Sequence, residues 1–151
     1  MQDLEWTCKG ENMKINQKTN QKDRDYIREK VIEHNMLNLP DELKTPKEEV
    51  CFVIEDEVGD VIGGVTGTMF WNHLHLDFLW VENEFRGKGY GSELLKQIEE
   101  VATENECRLI FLDTFSFQAP EFYKRNGYKI FGVIEDHPKG FNQYFLEKRL
   151  S

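Results

Sequence analysis

Hydrophobic positions along this chain fall into short alternating runs, interrupted by two stretches of helical spacing. A first strand is predicted around Gly10–Gln17. From Asn20 to about Met36, Tyr26, Ile27, Val31 and Met36 recur on one helical face, with Asn20 or Asp23 as the starting cap. Pro40 and Pro46 bound the irregular stretch that follows. Val50–Glu55 and Val61–Phe70 read as two strands of a hairpin that turns at Asp56–Asp60 around Gly59. Gly63, Gly64 and Gly67 weaken the second strand as a packing element and predict a bulge or the close approach of another backbone or a ligand. Trp71-Asn72 forms the next turn and His73–Val81 a third strand. Strict alternation there puts His73, His75 and Asp77 on one face, and Leu74, Leu76 and Phe78 on the other.

Downstream, Leu94, Leu95, Ile98, Val101 and Ala102 mark the buried face of a helix over about Gly89–Asn105, with Glu93, Lys96, Gln97, Glu99 and Glu100 opposite. Arg108–Asp113 is a short buried strand, and a strand–helix–strand order predicts a parallel pair joined by a crossover. A brief helix around Ala119–Asn126 stops at Gly127. Two strands, Tyr128–Glu135 and Phe141–Leu150, close the chain around Asp136–Gly140. The pattern is that of an α/β (α+β) domain with a mixed sheet, and the absence of repeats or linkers predicts one domain over 1–151.

Composition narrows the partners. A hydrophobic fraction of 39% with 13% aromatic residues suits a packed core. Nineteen basic against twenty-eight acidic residues give a net charge of −9, which disfavours nucleic acid and anionic membranes and favours a cationic partner. No apolar run reaches the length of a membrane span, and Met1–Trp6 carries no signal-peptide pattern. Cys8, Cys51 and Cys107 are odd in number and far apart, as expected of reduced thiols in a cytoplasmic protein, each read as a small core residue. The sequence leaves the oligomeric state open, with a homodimer among the forms it allows.

The chemistry concentrates where the third strand runs into Arg86-Gly87-Lys88-Gly89-Tyr90-Gly91 and a helix follows. Alternating glycines at a helix start uncover backbone N–H groups at the positive end of the helix dipole, an arrangement suited to a phosphate. A Walker loop is excluded, since Gly87-Lys88 lacks the upstream glycine and the following Ser or Thr. A dinucleotide fingerprint fits poorly: Gly91 comes one position early, Ser92 stands where the third glycine belongs, and three strands precede the unit.

The pattern that fits is [RQ]-x-x-G-x-[GA], preceded by Leu79-Trp80-Val81 and followed by Ala119-x-x-Phe122-Tyr123-x-x-x-Gly127-Tyr128. With these motifs the chain resembles the GNAT superfamily of acyl-CoA-dependent N-acyltransferases, most closely over about residues 73–135. The resemblance implies a mostly antiparallel central sheet flanked by helices, with a splayed parallel strand pair. It implies acetyl-CoA as co-substrate and no metal. The pyrophosphate would meet the backbone of Gly87, Lys88, Gly89, Tyr90, Gly91 and Ser92, assisted by Arg86 or Lys88. The pantetheine arm would run along Leu79, Trp80 and Val81, with Ala119 and Phe122 nearby. Ser116 stands where the family often has Asn, a shorter group at that contact.

The same resemblance casts Tyr123 as the general acid that protonates the departing sulfur, a phenol of ordinary pKa near 10. His75 and Asp77 occupy positions where related acyltransferases carry a base for the amine, directly or through a water, and histidine titrates near neutrality. By analogy the acceptor site is shaped by Tyr26–Met36, Gly67–Trp71 and Asp136–Gly140. Together with the acidic surface this predicts a small cationic amine: a polyamine, an aminoglycoside-like compound, a lysine or a peptide N-terminus. Two other classes stay open on the same residues. One is an acyl-CoA-binding domain without catalysis. The other is a zinc hydrolase using His73, His75 and Asp77, although Phe78 stands where its next histidine belongs.

Overall fold

The computed structural model describes residues 3–8 and 11–151, with side chains from Met13 onward. They fall into two compact units, one ending at Asp41 and the other comprising Glu42–Ser151. In the first, β1 (Asp3–Cys8) pairs antiparallel with β2 (Glu11–Asn16). β2 lies within the expected first strand, whose Gly10 is outside the described residues; β1 is an addition. Helix α1 (Gln21–Asn38) begins at the expected cap, where Asn20 Oδ1 accepts from the Asp23 N–H at 2.9 Å. It runs two residues past Met36 and stops because Pro40 drives Leu39 into the extended region, at φ −91° and ψ 131°.

The second unit is built on a six-stranded sheet. Its elements are β3 (Glu48–Glu55), β4 (Val61–Phe70), β5 (His73–Val81), α2 (Tyr90–Glu104), β6 (Leu109–Phe115), α3 (Pro120–Arg125), β7 (Lys129–Ile134) and β8 (Gln143–Arg149). The strand order is β3-β4-β5-β6-β8-β7, and every neighbouring pair is antiparallel except β5–β6. The expected mixed, mostly antiparallel sheet flanked by helices is therefore present. The β3–β4 hairpin turns as expected, with Asp56 Oδ1 accepting from the N–H groups of Val58 (3.0 Å) and Asp60 (2.9 Å).

One face of the sheet carries the core. Val65, Met69, Leu74, Leu76, Ile110, Leu112 and Leu146 meet Leu94, Leu95, Ile98 and Ala102 of α2, all buried. Each buried Leu or Ile contributes about 1.5–3 kcal/mol of transfer free energy. Gly67 lets α2 seat: a Cβ there would stand 2.8 Å from Ile98 Cδ1 and 3.1 Å from Leu74 Cδ2. Glu99, expected on the polar face of α2, is drawn inward. Its carboxylate accepts from Tyr128 Oη at 3.0 Å and from Lys148 Nζ at 3.0 Å, tying α2 to β8 and to the residue just before β7.

Two expectations about faces are corrected. Thr66 pairs with Phe78 and Gly67 with Leu76, so Asp77 is the extra residue of a β-bulge. Beyond it the alternation shifts by one. Phe78 is turned out of the core and is 77% exposed, whereas Val81 is buried and Leu79 packs against the core. Cys51 is exposed, because inward-facing Val50, Phe52 and Ile54 leave the odd positions of β3 outside; Cys107 is buried, and the Cys8 side chain lies outside the described residues.

Candidate active site

The parallel pair is joined only at its start. His73 pairs with Leu109, Leu74 with Ile110 and His75 with Phe111, after which β5 and β6 part. Past that fork lies a cleft of about 680 Å³, lined by residues from Leu79 to Val81, by the loop and helix start from Phe85 to Ser92 except Lys88, and by Phe117, Gln118, Ala119, Phe122 and Arg125.

The glycine loop forms one wall. Gly87 and Gly89 have φ of +78° and +87°, a region that side chains with a Cβ avoid. Gly89 is the N-cap of α2 and brings no side chain; the first helical bond runs from the Glu93 N–H to the Gly89 carbonyl at 3.1 Å. The backbone N–H groups of Tyr90, Gly91 and Ser92 thus open the helix without a side-chain cap, at the positive end of its dipole. Gly91 serves packing instead: a Cβ there would stand 3.3 Å from the Phe122 ring. An uncapped helix start beside a cleft of this size fits a pyrophosphate with an extended arm.

The sequence-predicted binding residues divide. Leu79, Trp80, Val81, Arg86, Gly87, Gly89, Tyr90, Gly91, Ser92, Ala119 and Phe122 line the cleft together. Arg86 Nε donates to the Val81 carbonyl at 3.0 Å, bracing the loop against the end of β5. Lys88 and Ser116 are not in the lining. The Lys88 ammonium lies over the Phe85 ring, 5.5 Å from its centroid, and Ser116 Oγ accepts from the Asn142 N–H at 3.1 Å, holding the end of β6 to the start of β8. Phe85, Phe117, Gln118 and Arg125 join unforeseen. Gln118 Oε1 accepts from the Phe115 N–H at 2.8 Å and so shapes the turn before α3, a role visible only once that turn is folded. The one available signal for Arg125 was a cation in the last turn of a short helix.

His75 stands at the fork itself. Its Nδ1 is 2.7 Å from Asp77 Oδ1, and Asp77 Oδ2 accepts from the Thr68 hydroxyl at 2.7 Å. The His75 and Asp77 side chains keep 31% and 30% of their surface exposed, and neither is in the lining of the cleft. Phe111 meets the His75 ring edge-on at 4.8 Å. His73 is differently placed: it stacks on Phe111 at 5.2 Å and packs edge-on against Phe70 at 4.4 Å. Among the described residues, no three His, Cys, Asp or Glu side chains are grouped to hold a metal ion.

Burial lowers the His73 pKa below its usual 6.5; a hydrogen bond with the Phe70 backbone opposes this, and the neighbouring His75 reinforces it. A group depressed in the folded state contributes stability above its unfolded pKa, and that contribution is lost as pH falls through the folded value. His73→Phe, which keeps a ring on Phe111, should therefore lose less stability than the parent between about pH 7.5 and pH 5. Denaturant midpoints across that range test this; parallel curves would show that His73 titrates alike in both states.

Tyr123 lies in α3, 6% exposed, packed edge-on against Phe122 (5.1 Å) and Tyr128 (5.9 Å). Burial, and then the negative charge of Asp113, push its pKa up to about 12, so the ordinary value near 10 expected from sequence is corrected. The phenol therefore holds its proton throughout the neutral and mildly basic range.

Residues 11–128 match the model of the acetyltransferase (GNAT) family. A blasticidin-S acetyltransferase from Streptomyces morookaense is 41% identical over 95 residues, covering 62% of this chain and 70% of that protein. The crystal structure of an acetyltransferase from Bacillus cereus ATCC 14579 is 56% identical, with a TM-score of 0.88 over 90% of this chain and 97% of that one. An aminoglycoside 6′-N-acetyltransferase complexed with coenzyme A shares the fold, with a TM-score of 0.60 at 18% identity over 68% of this chain and 73% of that one.

Proposed function

Because this chain belongs to the acetyltransferase (GNAT) family, we propose that it moves the acetyl group of acetyl-CoA directly to a primary amine of a small, cationic acceptor. The observation that carries the amine reading is the place of the His75–Asp77 pair. His75 stands at the last paired position of β5 and β6, where the two strands part, with Asp77 Oδ1 2.7 Å from its Nδ1; neither residue is in the lining of the cleft. Bound acetyl-CoA would supply an activated thioester; the chain supplies orientation and proton movement.

The backbone N–H groups from Gly87 to Ser92 hold the pyrophosphate, with Arg125 as a cation on the same cleft. Residues Leu79–Val81 line the path of the arm. His75, oriented by Asp77, accepts the proton of the attacking amine. Tyr123 donates its phenolic proton to the departing sulfur, and its raised pKa keeps that proton in place until then. The net charge of −9 favours a cationic acceptor. The 41% identical relative is named for blasticidin S, so that compound heads the panel of amines to be tried.

The test couples thermal shift with thiol release. Acetyl-CoA at about a hundred times its Kd should stabilise the fold by about 2.7 kcal/mol, raising Tm by roughly 5–10 °C. Blasticidin S, polyamines, aminoglycosides and lysine are then compared for release of free CoA. No shift with acetyl-CoA overturns the binding site. A shift without release across the panel would turn the reading towards acyl-CoA binding alone.

A further inference from the structure

We infer that Thr68 is a positioning residue for the proposed base: its hydroxyl fixes the Asp77 carboxylate, which holds His75 with its proton on Nδ1 and leaves Nε2 to take the proton of the amine. This rests on the reading of His75 and Asp77 as the base.

An ionised carboxylate only accepts hydrogen bonds, so in the 2.7 Å contact with Asp77 Oδ2 the Thr68 hydroxyl is the donor. The other oxygen, Oδ1, lies 2.7 Å from His75 Nδ1 and requires a donor there. A neutral imidazole has one proton, and this contact places it on Nδ1. The lone pair of Nε2 is then available for an incoming ammonium or amine proton.

The backbone explains why a threonine on another strand can do this. Thr68 is the cross-strand partner of His75, and Asp77 is the extra residue of the bulge one step beyond. Without the bulge, residue 77 would stand opposite Thr66. With it, Phe78 takes that place and Asp77, left unpaired, reaches Thr68 Oγ1 and His75 Nδ1 at 2.7 Å each. Phe111 closes the remaining side of the ring at 4.8 Å. The arrangement is held by three neighbouring strands: Thr68 by β4, His75 and Asp77 by β5, Phe111 by β6.

Thr66 supplies an internal contrast. It lies two residues earlier on the same strand, and among the described residues its Oγ1 is the one buried side-chain polar atom without a hydrogen-bond partner. Packing on this face therefore does not require a bonded hydroxyl, yet the hydroxyl of Thr68 has been given a carboxylate.

Two readouts test the inference. In ¹⁵N spectra of histidine-labelled protein at about pH 8.5, above the ordinary imidazole range, His75 should carry its proton on Nδ1 in the parent and shift towards the Nε2–H tautomer in Thr68→Val. For turnover, with the best amine of the panel, Thr68→Val should lower kcat about tenfold with KM for acetyl-CoA unchanged, as expected when one charge-assisted hydrogen bond is lost. Thr68→Ser should restore most of it, Thr66→Val should match the parent, and Thr68→Val added to Asp77→Asn should cost nothing further. An Nε2–H tautomer in the parent, or additive losses in the double variant, would overturn the inference. Parent-like turnover in Thr68→Val alongside a loss in His75→Gln would overturn it and spare the base. Parent-like turnover in His75→Gln would remove the base itself.

Discussion

Tyr123→Phe should lower kcat by about two to three orders of magnitude, the range of a lost general acid, while KM for acetyl-CoA and Tm stay near those of the parent. The substitution removes a single oxygen from a ring held between Phe122 and Tyr128, so the packing of α3 persists. A loss confined to kcat identifies an interaction made in the transition state rather than on binding. The raised pKa sharpens the expectation. With the phenol titrating at about 12, any fall in rate between neutral pH and pH 10 belongs to another group, and the parent and the variant should share it. Burial that raises a phenol also stabilises its neutral form in the fold. The parent should therefore lose stability as pH rises through 10 towards 12, and Tyr123→Phe should lose less of it. Rates measured under saturating acetyl-CoA decide the matter. A variant with parental kcat would take Tyr123 out of the reaction and leave it as a packing residue.

The order of elements in the second unit was legible because each depends on local periodicity. Leu94, Leu95, Ile98 and Ala102 mark α2 whatever lies opposite, and the glycines of the loop mark its start. Asp77 shows where that logic stops. Counting parity along His73–Val81 puts Phe78 inside with Leu74 and Leu76, and the bulge puts it outside. A bulge is a property of two strands, set here by how β4 and β5 align around Gly67, and neither strand alone announces it. The same limit explains Thr68, whose part at the site comes from register across the ladder. Exposed Cys51 is the converse case, a residue read by its type when its parity in β3 placed it outward. The proposed cofactor-binding residues read as a motif because conformational demands at Gly87 and Gly89, and crowding at Gly91, favour glycine at those positions. Gln118 and Phe117 belong to a turn whose shape follows from folded contacts, so nothing local singled them out.

That preference for glycine yields the second large effect. Gly87→Ala combined with Gly89→Ala should weaken acetyl-CoA binding about a hundredfold, with kcat at saturation within a few-fold of the parent. Neither added methyl would touch another group: nothing lies within 4 Å of a Cβ at either position. The cost is conformational. Each alanine would be held at φ near +80°, which costs of order 1–3 kcal/mol per residue, and the loop relaxes by rotating peptide units. Relaxation turns the N–H groups away from the cleft, so strain relief and loss of the anion site are one event. Two weakened charge-assisted hydrogen bonds at about 1.5 kcal/mol each amount to roughly a hundredfold, since 1.4 kcal/mol is tenfold. Gly91→Ala provides the contrast. It lies in the helix, where alanine is favoured over glycine by about 1 kcal/mol, against a Phe122 ring that must yield a few tenths of an ångström from 3.3 Å. Its effect on binding should be several-fold at most. Calorimetric titration with acetyl-CoA separates the three variants. Parental affinity in the Gly87/Gly89 double variant would show that the positive-φ geometry is not what presents the backbone to the phosphate.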